Sequence, residues 1–186
     1  MALHDFDVSE VVQIVVSALG IALAFSYVWQ GESFLAILFI VSMAFVLHEL
    51  GHKYMAIRYG AHARYQMWVI GLVICIILAM TIGFVIAAPG AVYIYGRELT
   101  RQQSGKVSLA GPGVNIILSL LFYIGALIFV SASSILLLGA YFNAFLAVFN
   151  LIPFDPLDGA KIMRWDKRVW AAAFAISALL VILTPV

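Results

Sequence analysis

The stretch FLAILFIVSMAFVLHELGH, residues Phe34–His52, decides how the rest of the chain is read. Its first part, Phe34–Leu47, carries no charge and reads as a membrane helix. His48, Glu49 and His52 therefore stand where bilayer hydrocarbon makes polar groups expensive, about 2.5–3.5 kcal/mol per charge at a helix centre. A helix turns about 100° per residue, so His48 and His52, four apart, lie one above the other on one face. This is the H-E-x-x-H arrangement, in which two imidazoles share a zinc ion and the intervening carboxylate, here Glu49, serves as general base. A chance match, with both histidines as satisfied packing groups, is the alternative. A charged cluster inside a span weighs against it, because such clusters are retained for function. The motif alone lacks the third protein ligand that catalytic zinc requires.

Composition bounds the rest. Of 186 residues 65% are hydrophobic and 10% charged, with a mean hydropathy of +1.11, outside the range of soluble domains. The fold class expected is all-α integral membrane: one bundle of five to six transmembrane helices with a small β-hairpin or re-entrant element, and no separate soluble domain. A net charge of +1 offers no basic face for nucleic acid. Cys75 stands alone in an apolar run, which excludes an internal disulfide and a cysteine-type zinc site. Met1–Glu10 lacks Lys and Arg, so the first apolar segment is expected to be retained as a span rather than cleaved as a signal. His4 in that tail reads as solvated.

Read in order, Val11–Trp29 is a first span, and Ser33 is a cap for a second span ending near Tyr59 and Gly60. His62, in the polar stretch Gly60–Gln66, reads as a surface histidine. Met67–Ala88 is apolar and long enough to cross, which creates a conflict. All ten basic residues fall in three loops: Lys53, Arg58 and Arg64; Arg97, Arg101 and Lys106; Lys161, Arg164, Lys167 and Arg168. The positive-inside rule wants these loops on one side, and a single crossing by Met67–Ala88 would separate the first from the second. A re-entrant or in-plane segment removes the conflict and is the preferred reading; Gly71 and Gly83 permit the bend. All three loops, the N-terminus and the His48–His52 region then face the cytoplasm, with the cell membrane as the expected location.

Ala91–Tyr95 is β-prone and is expected to form a hairpin with Lys106–Leu109 across a long loop. An edge strand there could hold an extended peptide by main-chain pairing. Leu109–Val130 reads as a span opening with Ala110-Gly111-Pro112-Gly113 and containing Asn115, either glue between helices or a donor in the site. Ser134–Ile152 spans back, with Asn143 and Asn150 on one face. Pro153 and Pro156 end that helix and leave Asp155 and Asp158 on irregular chain. Val169–Val186 is a last span.

With no second cysteine and no third membrane histidine, a carboxylate is the natural third ligand. Asp5, Asp7 and Glu10 lie in the tail, Glu32 at the opposite end of the spans, Glu98 in a polar loop, and Asp166 among basic residues. Asp155 and Asp158 remain.

His48-Glu49-Leu50-Gly51-His52 together with Asn150-Leu151-Ile152-Pro153-Phe154-Asp155-Pro156-Leu157-Asp158-Gly159 resembles the site-2 protease family of intramembrane zinc metalloproteases. Gly111-Pro112 with Asn115 is similar to that family's A-G-P-x-x-N element. The resemblance implies one zinc per chain, held by His48, His52 and Asp158, with Glu49 catalytic. By the same analogy Asn115 and Asn150 would position substrate or stabilise the oxyanion. It further implies a transmembrane protein as substrate, the lipid bilayer as surroundings, and, with no PDZ or CBS domain in the sequence, access governed by the spans, the hairpin or a regulatory membrane partner. Ala160-Lys161 departs from the Gly-Arg frequent after the aspartate. The competing readings are a transporter or channel using the same polar groups for metal or protons, and a non-catalytic membrane scaffold.

Overall fold

Asp7 opens the first helix by accepting the Ser9 N–H at 2.6 Å, which satisfies one of the free donors of a helix start. The computed structural model describes residues 7–83, 85 and 89–184; His4 and Asp5 lie outside them. The helices are α1 Val8–Val28, α2 Phe34–Arg58, α3 Val69–Ile82, α4 Arg101–Ile128, α5 Ser133–Asn150, α6 Asp158–Trp165 and α7 Lys167–Leu183. Two strands, β1 His62–Met67 and β2 Gly90–Tyr95, form one antiparallel sheet.

Among the described residues four helices are long and apolar enough to cross a membrane: α1, α2, α4, and Val130–Asn150, which is α5 with the 3-10 turn before it. Their outward faces carry large apolar side chains, among them Leu127, Ile128 and Phe129, each more than 60% exposed. In water such a surface would aggregate; in lipid it is the solvent face. Inward, Ile21, Phe25, Ile37, Ile40, Phe45, Leu138 and Phe142 make the core that joins α1, α2 and α5. Ser33 occupies the N-cap of α2 but makes no side-chain capping bond. The expected last span, Val169–Val186, falls on α7, which at 17 residues is not among these four, so of the five to six spans expected four are found among the described residues.

Among the described residues of the segment 67–88, no helix is long enough to run from one end of the bundle to the other. Its helix, α3, has 14 residues and is about 21 Å long, short of the roughly 30 Å of hydrocarbon. The strands on either side of it pair with each other, Met67 opposite Gly90 and His62 opposite Tyr95. The chain thus leaves and returns at the same place. All three basic loops consequently gather at one end. Arg97 donates to the Tyr59 carbonyl at 3.1 Å, and Arg101 shares a cavity with Lys161 and Arg164.

One expectation about the sheet is overturned. Ala91–Tyr95 pairs with His62–Met67, not with Lys106–Leu109, which lies inside α4. Thr100 and Gln103 form a reciprocal capping box that starts α4 at Arg101, eight residues before the span was expected to open. The partner strand had been read as a polar loop, although Ala63 and Tyr65 alternate inward along it.

Glu10 was set aside as a tail residue, yet it is 1% exposed. Its carboxylate accepts from Lys53 Nζ at 2.7 and 2.6 Å and from the Tyr65 main-chain N–H at 2.9 Å. This buried pair ties α1, α2 and β1 together beside His52. Tyr65 reaches on to Ser17 at 2.9 Å.

Candidate metal centre

Helix periodicity brings the two imidazoles together, and glycines bring the neighbouring elements to them. Nε2 of His48 and Nε2 of His52 lie 3.0 Å apart. A Cβ on Gly51 would lie 3.0 Å from the Ala110 carbonyl oxygen, so α2 and α4 approach closely only because that position is bare. A Cβ on Gly111 would sit 2.7 Å from His48 Nε2 and nearer still to His52 Nε2. At Gly159 it would strike the main chain of Leu151 and Ile152. That contact seats the start of α6 beneath the loop after α5. It brings Asp158 Oδ2 to 3.1 Å from His52 Nε2 and 3.6 Å from His48 Nε2.

His48, His52 and Asp158 thus converge as one buried group able to hold a metal ion. Four tetrahedral ligands about 2.0–2.1 Å from zinc stand about 3.3 Å from one another. The three observed separations, 3.0, 3.1 and 3.6 Å, straddle that edge. Two nitrogens and one carboxylate oxygen are also the donor types zinc takes in a catalytic site. Glu49, 8% exposed, has a buried Oε2 with no hydrogen-bond partner, and the Val92 backbone of β2 lies beside its carboxylate. A buried acceptor left bare beside three convergent ligands fits a site that receives an ion and a water.

Each imidazole is held from behind. His52 Nδ1 donates to the Val107 carbonyl at 2.8 Å and His48 Nδ1 to Asn115 Oδ1 at 2.6 Å. The Asn115 carboxamide is fixed the right way round, since its Nδ2 donates to the Ala44 carbonyl and to Asn143 Oδ1, both at 3.0 Å. With a proton on each Nδ1, each Nε2 lone pair is free to ligate.

The other residues singled out in the sequence fall as follows. Asn115 is fully buried behind His48 and has both its carbonyl and its amide engaged. Asn150 lines the cleft and donates to the Leu146 carbonyl at 3.0 Å. Asp155 points elsewhere, gripping Arg164 through two bonds of 2.7 and 2.9 Å. His62 is exposed at the start of β1 and outside the group of three. Sequence reasoning missed the Val107 carbonyl, the place of Asn143 behind Asn115, and the demand for glycine at position 111. The last two had signals, an asparagine in an apolar span and a glycine inside a helix.

In front of the ligands opens a cleft of about 510 Å³. One wall is β2, through Gly90, Ala91, Val92 and Ile94; another is the loop carrying Phe154, Pro156 and Leu157. Because β1 occupies one edge of β2, the other edge is left toward the cleft.

No family model matches the chain, and no solved structure matches it. Curated relatives do. One in Methanocaldococcus jannaschii, provisionally named zinc metalloprotease MJ0611, is 38% identical over 179 residues, covering 92% of each chain. The zinc metalloprotease MJ0392 of the same organism is 30% identical over 74% of this chain and 36% of its own length. The Rip2 protein of Mycolicibacterium smegmatis, also provisionally named a zinc metalloprotease, is 34% identical over 63% of this chain and 51% of its own.

Proposed function

Since the chain belongs to this site-2 protease-like family of zinc metalloproteases, and is accordingly a zinc-dependent peptidase, we propose that it cleaves transmembrane segments of other membrane proteins within the bilayer. The observation that carries the reading is that two of three convergent ligands, with a bare Glu49 oxygen beside them, lie buried in a helix long and apolar enough to span, and that α6 brings Asp158 to them. By the positive-inside rule, the basic end of the bundle, and the site close to it, face the cytoplasm of a cell membrane.

In this reading His48, His52 and Asp158 hold one zinc ion, which when bound supplies Lewis-acid polarisation and acidifies water. Glu49 takes the proton of the attacking water and returns it to the leaving nitrogen. Val107 and Asn115 keep the imidazoles aimed and their Nε2 atoms unprotonated. The free edge of β2 pairs with substrate main chain, which holds a peptide extended past Glu49. Asn150, at the cleft wall, positions that chain or meets the developing oxyanion. A substrate helix hides its peptide bonds in its own hydrogen bonds, so it must unwind to be cut. Glycine or proline near the cleaved bond speeds the reaction, and a helix-stabilised variant cut at the same rate would refute that step.

The test is zinc content plus cleavage of a generic membrane-helix substrate by wild type and Glu49→Gln. Turnover falls by more than about a thousandfold in Glu49→Gln while zinc stays at the wild-type level. Residual full turnover, or wild-type protein without zinc, would refute the assignment.

A further inference from the structure

Two helices run outward side by side from the metal centre. One is α4, whose Val107 carbonyl meets His52; the other is α6, which begins at Asp158. Gly105 lets them touch, since a Cβ there would fall 2.7 Å from Trp165 Cγ. One turn further out lie Ser104 on α4 and Lys161 on α6. Both line the catalytic cleft and also a second cavity of about 460 Å³. The other walls of that cavity are Leu99, Arg101 and Arg164.

Three cations and no acid line this cavity. Arg164 is compensated by Asp155. Arg101 and Lys161 are exposed and make no ion pair among the described residues. Of the acids nearest along the chain, Asp158 belongs to the metal centre, Asp155 is gripped by Arg164, Asp166 caps α7, and Glu98 is exposed just before Leu99. An excess of positive charge therefore borders a passage continuous with the place where a peptide is cut.

Resting on the peptidase reading, we propose that this cavity receives a substrate carboxylate, an Asp or Glu roughly two to four residues from the cleaved bond. The spacing follows from the helices. Lys161 is three residues beyond Asp158, about 4.5 Å along α6, and Arg101 is six residues from Val107, about 9 Å along α4. An extended chain covers those distances in about one to three residues at roughly 3.3 Å each, and side-chain reach adds one. The shared walls favour a peptide over any separate ligand, because whatever fills the cleft continues into the cavity.

The test uses the full chain in proteoliposomes and a model membrane-helix substrate whose cleaved bond is mapped by mass spectrometry. Asp, Asn or Lys is placed in turn at each of six positions on either side of that bond. Asp is preferred over Lys by about three- to tenfold in kcat/KM at one or two positions two to four residues out, and the preference shrinks at high salt. Arg101→Glu with Lys161→Glu reverses the ratio in favour of Lys at those same positions. A flat series on a substrate that is nonetheless cut overturns the proposal and leaves the peptidase reading standing. A flat series with cleavage that needs anionic lipid, a need lost in the double variant, gives the cavity to a headgroup and also overturns it. If zinc-loaded protein cuts no substrate, the peptidase reading fails and this proposal falls with it.

Discussion

Nδ1 of His48 lies 2.6 Å from the side-chain oxygen of Asn115, on a residue 67 positions later in the chain. This contact couples the metal centre to the packing of α2 against α4 and α5, because the same carboxamide bonds Ala44 and Asn143. Asn115→Leu removes the orientation of His48 while filling similar volume. Zinc affinity falls by about 10- to 100-fold in a chelator competition. Unchanged affinity with a lowered melting temperature would reduce Asn115 to a tie between helices.

How much of this was legible in the sequence depended on whether a signal was local. His48 and His52 share a helix face by spacing alone, and Pro153 and Pro156 mark the break that delivers Asp158. The sheet was misassigned because its two strands are separated by α3, and pairing over such a distance leaves no periodicity to read. Glu10 reads as a tail residue for the same reason. Its partners Lys53 and Tyr65 are brought to it only by the return of α2 and the folding of β1. The start of α4, by contrast, is legible locally, since Thr100 and Gln103 carry the capping-box spacing.

Gly111 is the bare face against which both imidazoles lie. In Gly111→Ala the added methyl would overlap His52 Nε2 and sit 2.7 Å from His48 Nε2, so the rings must turn or α4 must back away. Zinc occupancy drops and turnover falls by at least about a hundredfold, a loss expected when site geometry shifts by an ångström. Gly113, where a Cβ meets nothing within 4 Å, is the control: Gly113→Ala keeps both.

Asp155 and Asp158, both left by elimination until the family resemblance singled out Asp158, separate cleanly. Asp158→Asn loses zinc, whereas Asp155→Asn keeps it, as atomic absorption on the purified variants will report. A pH series gives a second reading. The hydrogen bonds from Arg164 hold the Asp155 carboxyl below its ordinary value of 3.8, against a smaller opposing effect of burial. A carboxyl depressed on folding contributes stability that is present above its unfolded value and lost as pH falls through its folded one. Any difference in melting temperature between wild type and Asp155→Asn is therefore constant from pH 5 to 8 and closes below about pH 4. A gap that opened instead between pH 5 and 8 would mean that Asp155 titrates with the site.

The meeting of Met67 with Gly90 brings the two ends of the segment between them together. If the segment between them dips in and returns, Arg58 and Arg97 lie on the same side as Arg168, and Glu32 and Ser131 on the other. Single cysteines at these five positions, in a Cys75→Ala background, can be probed with a membrane-impermeant thiol reagent in oriented vesicles. Positions 58, 97 and 168 label together, from the side opposite to 32 and 131. Labelling of 58 and 97 from opposite sides would require 67–88 to cross once. The two strands could not then pair, and β2 would be carried away from Glu49 together with the edge proposed to hold substrate.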